Sequence, residues 1–238
     1  MTEQLVKASS LNILALDTCT ESCSAALTDQ SNTYSEQADA PREHSQRLLP
    51  MVQSVLAQAE LKLKDVDLIA YGRGPGSFTG IRICSSITQG LALGQSIPVI
   101  GISTLATMAQ AAIEAGAKQV LSAIDARMGE VYWGQFVSVD GVATLVNEEV
   151  VSAPEAIVLS LDESTAITAC GTGFEAYPEL LALAGGLNEC VEAKFPDAKY
   201  MTVLARHGYT QGLSTDVDEL APVYLRDTVT WKKLPGKE

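Results

Sequence analysis

The 238-residue chain sets 29 acidic against 16 basic side chains, a net charge of −13. Such a balance disfavours a direct grip on nucleic acid, which needs Lys and Arg to displace counterions from phosphate, although a basic partner can supply that grip and the charge also keeps a protein soluble. With 47% apolar, 19% charged and 5% aromatic residues, the composition excludes a disordered chain and suits helices on a buried sheet, as one large domain or two lobes.

Residues 11–17 (LNILALD) form an apolar run ending in an acid, followed by strands at 24–28 and 33–38, which together suggest an antiparallel meander. A helix is predicted over 44–61, where Leu48, Met51, Val52, Val55, Leu56 and Ala59 recur at spacings of three and four. Pro50 either delays its regular part to about Leu48 or kinks it. Next come a buried strand at 66–71, a glycine-rich loop (GRGPGSFTGIRI, 72–83), a helix over 79–93 and a strand at 97–102. Ser103 or Thr104 then caps a helix running to Ala115.

The second half restarts the pattern. Residues 120–125 (VLSAID) again end in an acid, with strands at 130–137 and 142–150 around the turn signal Asp140-Gly141. A helix is predicted after Ser152-Ala153-Pro154, then a strand at 167–170 broken by Gly171-Thr-Gly173, and a last helix over 198–211. Apolar run, aspartate, turn and strand thus occur at Asp17 and, 108 residues later, at Asp125. The repeat points to a duplicated fold with a cleft between its halves.

The glycine loop fails as a Walker A motif, because Ile81 and not lysine follows Gly80, and it misses G-x-G-x-x-G at Thr79. What remains is a Gly-Pro-Gly turn before a helix N-terminus. Gly74 and Gly76 either leave N–H groups free for an anion or let two backbones meet closely. The following helix is unusually slim: Gly80, Cys84, Ser85, Ser86, Gly90, Ala92 and Gly94 carry little bulk, and Arg82 is its only charge. Its own sheet or a partner must cover such a surface. Asp17 and Asp125 resemble the paired acids of actin-like kinases, but Thr-Cys-Thr and Ala-Arg-Met follow them where bare glycine backbone would hold phosphate. Arg127 offsets that only in part. Asp17, Gly74, Gly76, Asp125 and Arg127 are therefore weak nucleotide-binding candidates.

Two histidines, His44 and His207, are too few for an ordinary catalytic metal site. Without a G-x-S-x-G elbow, nothing supports a Ser-His-Asp triad. No catalytic or metal-binding residue is assigned. Cys19, Cys23, Cys84, Cys170 and Cys190 form no metal-spaced pairs and read as reduced, mostly buried thiols of a cytoplasmic protein. The polar start MTEQLVKASS lacks a signal-peptide core, and no apolar run is long enough to span a membrane.

Five stretches in order, ILALDTCTESCSAAL, EHSQRLLPMVQSVL, GRGPGSFTGIRI, AIDARMGEVYWGQF and APVYLRD, resemble the TsaB (YeaZ) family. The resemblance implies an α/β fold of the duplicated actin-like (ASKHA, ribonuclease H-like) kind, with two lobes that each hold a mixed sheet flanked by helices. The expected division is 1–104 for a partner-binding lobe, 105–200 for a second lobe, and 201–238 for a closing helix and tail returning toward the first. It implies a non-catalytic cytoplasmic scaffold that binds the catalytic subunit TsaD, with TsaE joining, to install threonylcarbamoyl on adenosine 37 of tRNAs reading ANN codons. Contact with tRNA would be indirect, the isolated chain could be a monomer or a homodimer, and ATP or ADP would bind at most weakly at the TsaD interface. The H-x-x-x-H metal pair of TsaD-like relatives is broken here, since Leu48 follows His44 at the fourth position. The family pairs through its first two helices, which by position assigns His44, Arg47, Leu48, Met51, Val52, Val55, Gly80, Arg82, Ile83, Ser86, Ile87 and Gly90 to the interface. That assignment expects the apolar stripe to be exposed in the monomer. The rival readings are an ATPase or phosphotransferase using Asp17 and Asp125, and a metallopeptidase.

Overall fold

The computed structural model describes residues 10–226; the tail from Trp231 to Glu238, with Lys232, Lys233 and Lys237, lies outside them. Five strands build the first sheet: β1 (Ile13–Asp17), β2 (Ser22–Thr28), β3 (Thr33–Asp39), β4 (Leu68–Gly74) and β5 (Val99–Ser103), in the order β3-β2-β1-β4-β5. β1, β2 and β3 run antiparallel, while β1, β4 and β5 are parallel. The second sheet repeats this plan with β6 (Gln119–Arg127), β7 (Glu130–Val139), β8 (Val142–Ser152), β9 (Ile167–Cys170) and β10 (Asn188–Glu189), ordered β8-β7-β6-β9-β10 with the same directions. Two sheets of one topology, each flanked by helices, make the duplicated actin-like fold.

Coverage on both faces explains why every residue of β1 and β2 is buried. β3, at the sheet edge, alternates exposed and half-buried side chains instead. On one face, α1 (His44–Gln58) and α2 (Phe78–Gln95) pack Leu48, Val52, Val55 and Cys84 against Leu14, Leu16 and Ala25. On the other, α5 (Ala198–Thr210) sets Met201, Leu204 and Ala205 against Ile13, Ala15, Leu68 and Ile100. α3 (Thr104–Glu114), capped by Ser103, packs Leu105, Met108 and Ile113 on Val120, Ile124 and Phe136 of the second sheet. The one-turn α4 (Gly173–Ala176) follows β9, and its Phe174 joins a cluster with Trp133 and Ile157 on the opposite face.

Two expectations are corrected. α1 starts at His44 and runs through Pro50 without delay. After Ser152 only a single 3-10 turn forms, Pro154–Ala156, because side chains rather than a helix satisfy the backbone that follows. Gln135 donates to the Val158 carbonyl and accepts from Ser160 N–H, and Gln119 does the same for Asp162. Among the described residues, no helix is long and apolar enough to cross a membrane.

Candidate functional site

The turn after β1 is pressed into the start of α2, and the glycine loop makes this approach possible. Ser77 caps α2 with its hydroxyl on Gly80 N–H, and its own N–H donates to the Cys19 carbonyl at 2.7 Å. Thr18 Oγ1 donates to the Gly80 carbonyl, also at 2.7 Å. A β-carbon at Gly80 would lie 1.9 Å from the Thr18 carbonyl oxygen, and one at Gly76 2.1 Å from that of Cys19. At Gly74, with φ +98°, a β-carbon would lie 2.6 Å from the Val223 carbonyl oxygen. Gly74 and Gly76 therefore serve backbone approach, the second of the two uses open to them from sequence.

The same seal closes over Asp17, which is 1% exposed. Oδ1 accepts the Cys19 N–H at 3.0 Å, while Oδ2 has no hydrogen-bond partner among the described residues and faces Gly72, where a β-carbon would overlap it. Burial pushes the carboxyl up to about 7, against the lowering hydrogen bonds from Cys19. All five cysteines are buried free thiols. Burial likewise raises Cys170 to about 12 and Cys84 further still, so neither offers a thiolate.

Between the lobes lies a cleft of about 710 Å³. Asp125 lines it from β6, with its side chain 16% exposed and paired to Arg127 at 2.8 Å. Arg127 reaches across to Glu21 of the first lobe at 3.1 Å, so the second-lobe aspartate contributes to a link between lobes. A deeper link joins Glu149 on β8 to the Ser103 hydroxyl and, at 3.7 Å, to Arg73; burial raises the Glu149 carboxyl above its usual range. The chain after α5 straps the two lobes together. Thr215 pairs with Val99, Val223 N–H donates to the Arg73 carbonyl, and Arg226 binds Glu130 and the carbonyls of Ala126 and Arg127. Sequence reasoning expected the tail to return toward the first lobe but missed Glu21, Glu149 and the hold of Arg226 on the second lobe, since each acts through partners distant in the chain. Asp17, meanwhile, is not among the residues lining the cleft, so the fold does not bring the two aspartates into one open site.

The interface candidates split by direction. Leu48, Val52, Val55 and Met51 face the lobe's own core, as do His44, whose Nε2 donates to the Thr20 carbonyl, and Gly80. Their expected exposure is corrected: amphipathic spacing marks the face that a helix buries, and here its own sheet is what buries it. Arg47, Arg82, Ser86 and Gly90 are exposed, with Ile83 and Ile87 half-buried. Of these, Arg82, Ile83, Ser86 and Ile87, but not Arg47 or Gly90, line a groove of about 510 Å³ between α1 and α2, together with Ser45, Leu49, Phe78 and Thr79. Leu49 (43% exposed) and Phe78 (55%) were not among the candidates. Their signal was an apolar residue off the helix's buried stripe.

A duplicated sheet topology with an inter-lobe cleft defines a two-lobed actin-like protein. A family model described as TsaD, tRNA N6-adenosine threonylcarbamoyltransferase, matches residues 30–234. The tRNA threonylcarbamoyladenosine biosynthesis protein TsaB of Escherichia coli K12 is 46% identical over 231 residues, covering 96% of this chain and all of that protein. Its Haemophilus influenzae namesake is 43% identical, covering 96% and 99%. A solved structure described as YeaZ from Pseudomonas aeruginosa superposes with a TM-score of 0.85 at 40% identity, covering 90% of this chain and all of that one. The chain belongs to the TsaB (YeaZ) family.

Proposed function

We propose that this protein takes part in tRNA threonylcarbamoyladenosine biosynthesis as a non-catalytic subunit. It binds the transferase TsaD as a heterodimer, with TsaE completing a ternary assembly in the cytoplasm, and touches tRNA only through them. Alone, it pairs with a second copy through the same helices. The names of its near-full-length relatives support the pathway. One structural observation supports the division of labour: Asp17 is closed off by its own turn, while the neighbouring α1–α2 groove leaves Leu49, Phe78 and Arg82 in solvent. Exposed apolar groups flanked by arginine have the composition of a protein-binding face. ATP or ADP binds weakly, and only where TsaD completes a site.

The test is reconstitution of tRNA modification from this chain, TsaD and TsaE. Leu49→Glu on the groove should weaken association with TsaD by about tenfold or more and depress modification, with an unchanged melting temperature. Normal association and modification by that variant would remove the groove from the interface. Calorimetry of the isolated chain with ATP and Mg²⁺ separates this reading from the phosphotransferase: tight binding with turnover supports the enzyme.

A further inference from the structure

The α1–α2 groove is too small to hold a partner by itself. Eight residues line it, whereas stable interfaces engage roughly 20–30 residues a side. Exposed apolar side chains show where the surface continues. Phe78 lines both the groove and the inter-lobe cleft, and its ring lies 3.8 Å from the Arg82 guanidinium and 5.5 Å from the ring of Tyr224. Tyr224 and Met128 are exposed on the cleft side. Groove and cleft thus form one surface, and the twenty residues lining the cleft bring it into the range that a stable complex uses.

The chemistry of the cleft selects its occupant. Its walls include Ile81, Ile124, Ala126, Tyr132, Val223 and Leu225. Two of its three arginines are already engaged: Arg127 by Glu21 and Asp125, Arg226 by Glu130 and two main-chain carbonyls. A polyphosphate, which needs more than one cation, would have to break those pairs, whereas an uncharged apolar group breaks none. Arg42 lines the cleft too and makes no ion pair among the described residues. About 710 Å³ lies within the usual range for a bound ligand and suits a few residues of peptide.

The geometry points to the inter-lobe cleft as a peptide-binding site: a segment of the partner that docks on α1 and α2 passes Phe78 and inserts an apolar or aromatic side chain between the lobes, with a flanking carboxylate on Arg42. This rests on the reading of the protein as a TsaD-binding subunit. The cleft of a nucleotide-handling fold would then serve to hold protein.

The full chain and TsaD are used for the test. Leu49→Glu reports on the groove, Tyr224→Glu on the cleft mouth, and benzoylphenylalanine at position 132 on the cleft wall, with position 224 as the exposed alternative if folding suffers at 132. The expected results are a loss of affinity of about tenfold for Tyr224→Glu and a light-induced cross-link from position 132 or 224 to one TsaD segment carrying an apolar or aromatic residue. Where the two readouts disagree, the cross-link decides. A damaging Leu49→Glu with no cross-link to TsaD, or with a cross-link only to a second copy of this chain, overturns the cleft assignment and leaves the partner reading standing. Unchanged binding by Leu49→Glu removes the groove from the interface and with it the continuity on which the cleft assignment rests, whereas failure of the unaltered chain to bind TsaD fails the partner reading itself.

Discussion

The aspartates that mark the two halves of the duplication occupy opposite surroundings on one sheet plan. Asp17, ending β1, is buried, and among the described residues one of its oxygens has no partner and no cation neutralises it. Asp125, near the end of β6, lines the cleft and holds Arg127, which in turn grips Glu21. The lobes around them differ likewise. The first carries α1 and α2 across one face, whereas between β8 and β9 the second has a short 3-10 turn, and between β9 and β10 the one-turn α4 and a kinked 3-10 segment, Pro178–Gly185. Duplication kept the strand order and a close glycine approach to main chain in both lobes, at Gly76 and Gly80 in the first and at Gly171 in the second, but not the site: one acid is turned inward, and an arginine made the other a fastener.

That contrast is broken most forcefully at the seal. Gly80→Ala should cost about 3 kcal/mol in chemical denaturation, because its β-carbon meets main chain at 1.9 Å. Gly173→Ala, in α4 after β9, meets the fixed Ala123 β-carbon at 2.8 Å and the Ala123 main chain at 3.0 Å, a looser approach that should cost about 2 kcal/mol. Equal losses would mean that the first lobe is no more tightly sealed than the second.

A smaller effect, of opposite sign, is expected at Asp17. Its carboxyl titrates near 7 when folded against an ordinary value of 3.8, so the folded chain binds the extra proton between those limits. Stability from this group is full below about pH 4, falls as pH rises toward 7, and stays reduced above. Asp17→Asn should therefore stabilise the protein at pH 8 by about 2 kcal/mol, allowing for the amide's own unmet hydrogen bonds, and remove that slope from melts taken between pH 5 and 8. A destabilised variant at pH 8 would show that the carboxylate has a partner.

The smallest change belongs to Arg127→Ala. Its ion pairs are largely in solvent, with the arginine side chain 73% exposed, so stability should shift by no more than about 0.5 kcal/mol. Distances between spin labels on the two lobes should nevertheless broaden. A large drop in melting temperature with unchanged distances would make the pair a stability element and not a fastener of the cleft.

Much of this was legible in the sequence because it is local or repeated. Apolar runs ending at Asp17 and Asp125 gave away the duplication, and Ile81 after Gly80 excluded a phosphate-gripping lysine. Direction was not legible. The stripe of Leu48, Met51, Val52 and Val55 is equally compatible with a core and a docking face, and only the β1–β2 surface beneath it decides for the core. Nor could spacing reveal that Gln119 and Gln135 would replace the helix predicted after Pro154, or that Arg226 would return to β6 and β7 from about 100 residues away. Those features depend on pairings between residues far apart in the chain, which exist only once the fold has formed.

Light scattering on an equimolar mixture of this chain and TsaD, separated by size, tests the central claim most directly. A single peak at the summed mass of one copy of each, lost with Leu49→Glu, is the result expected of a partner subunit. Separate peaks for the two proteins at micromolar concentration would contradict it.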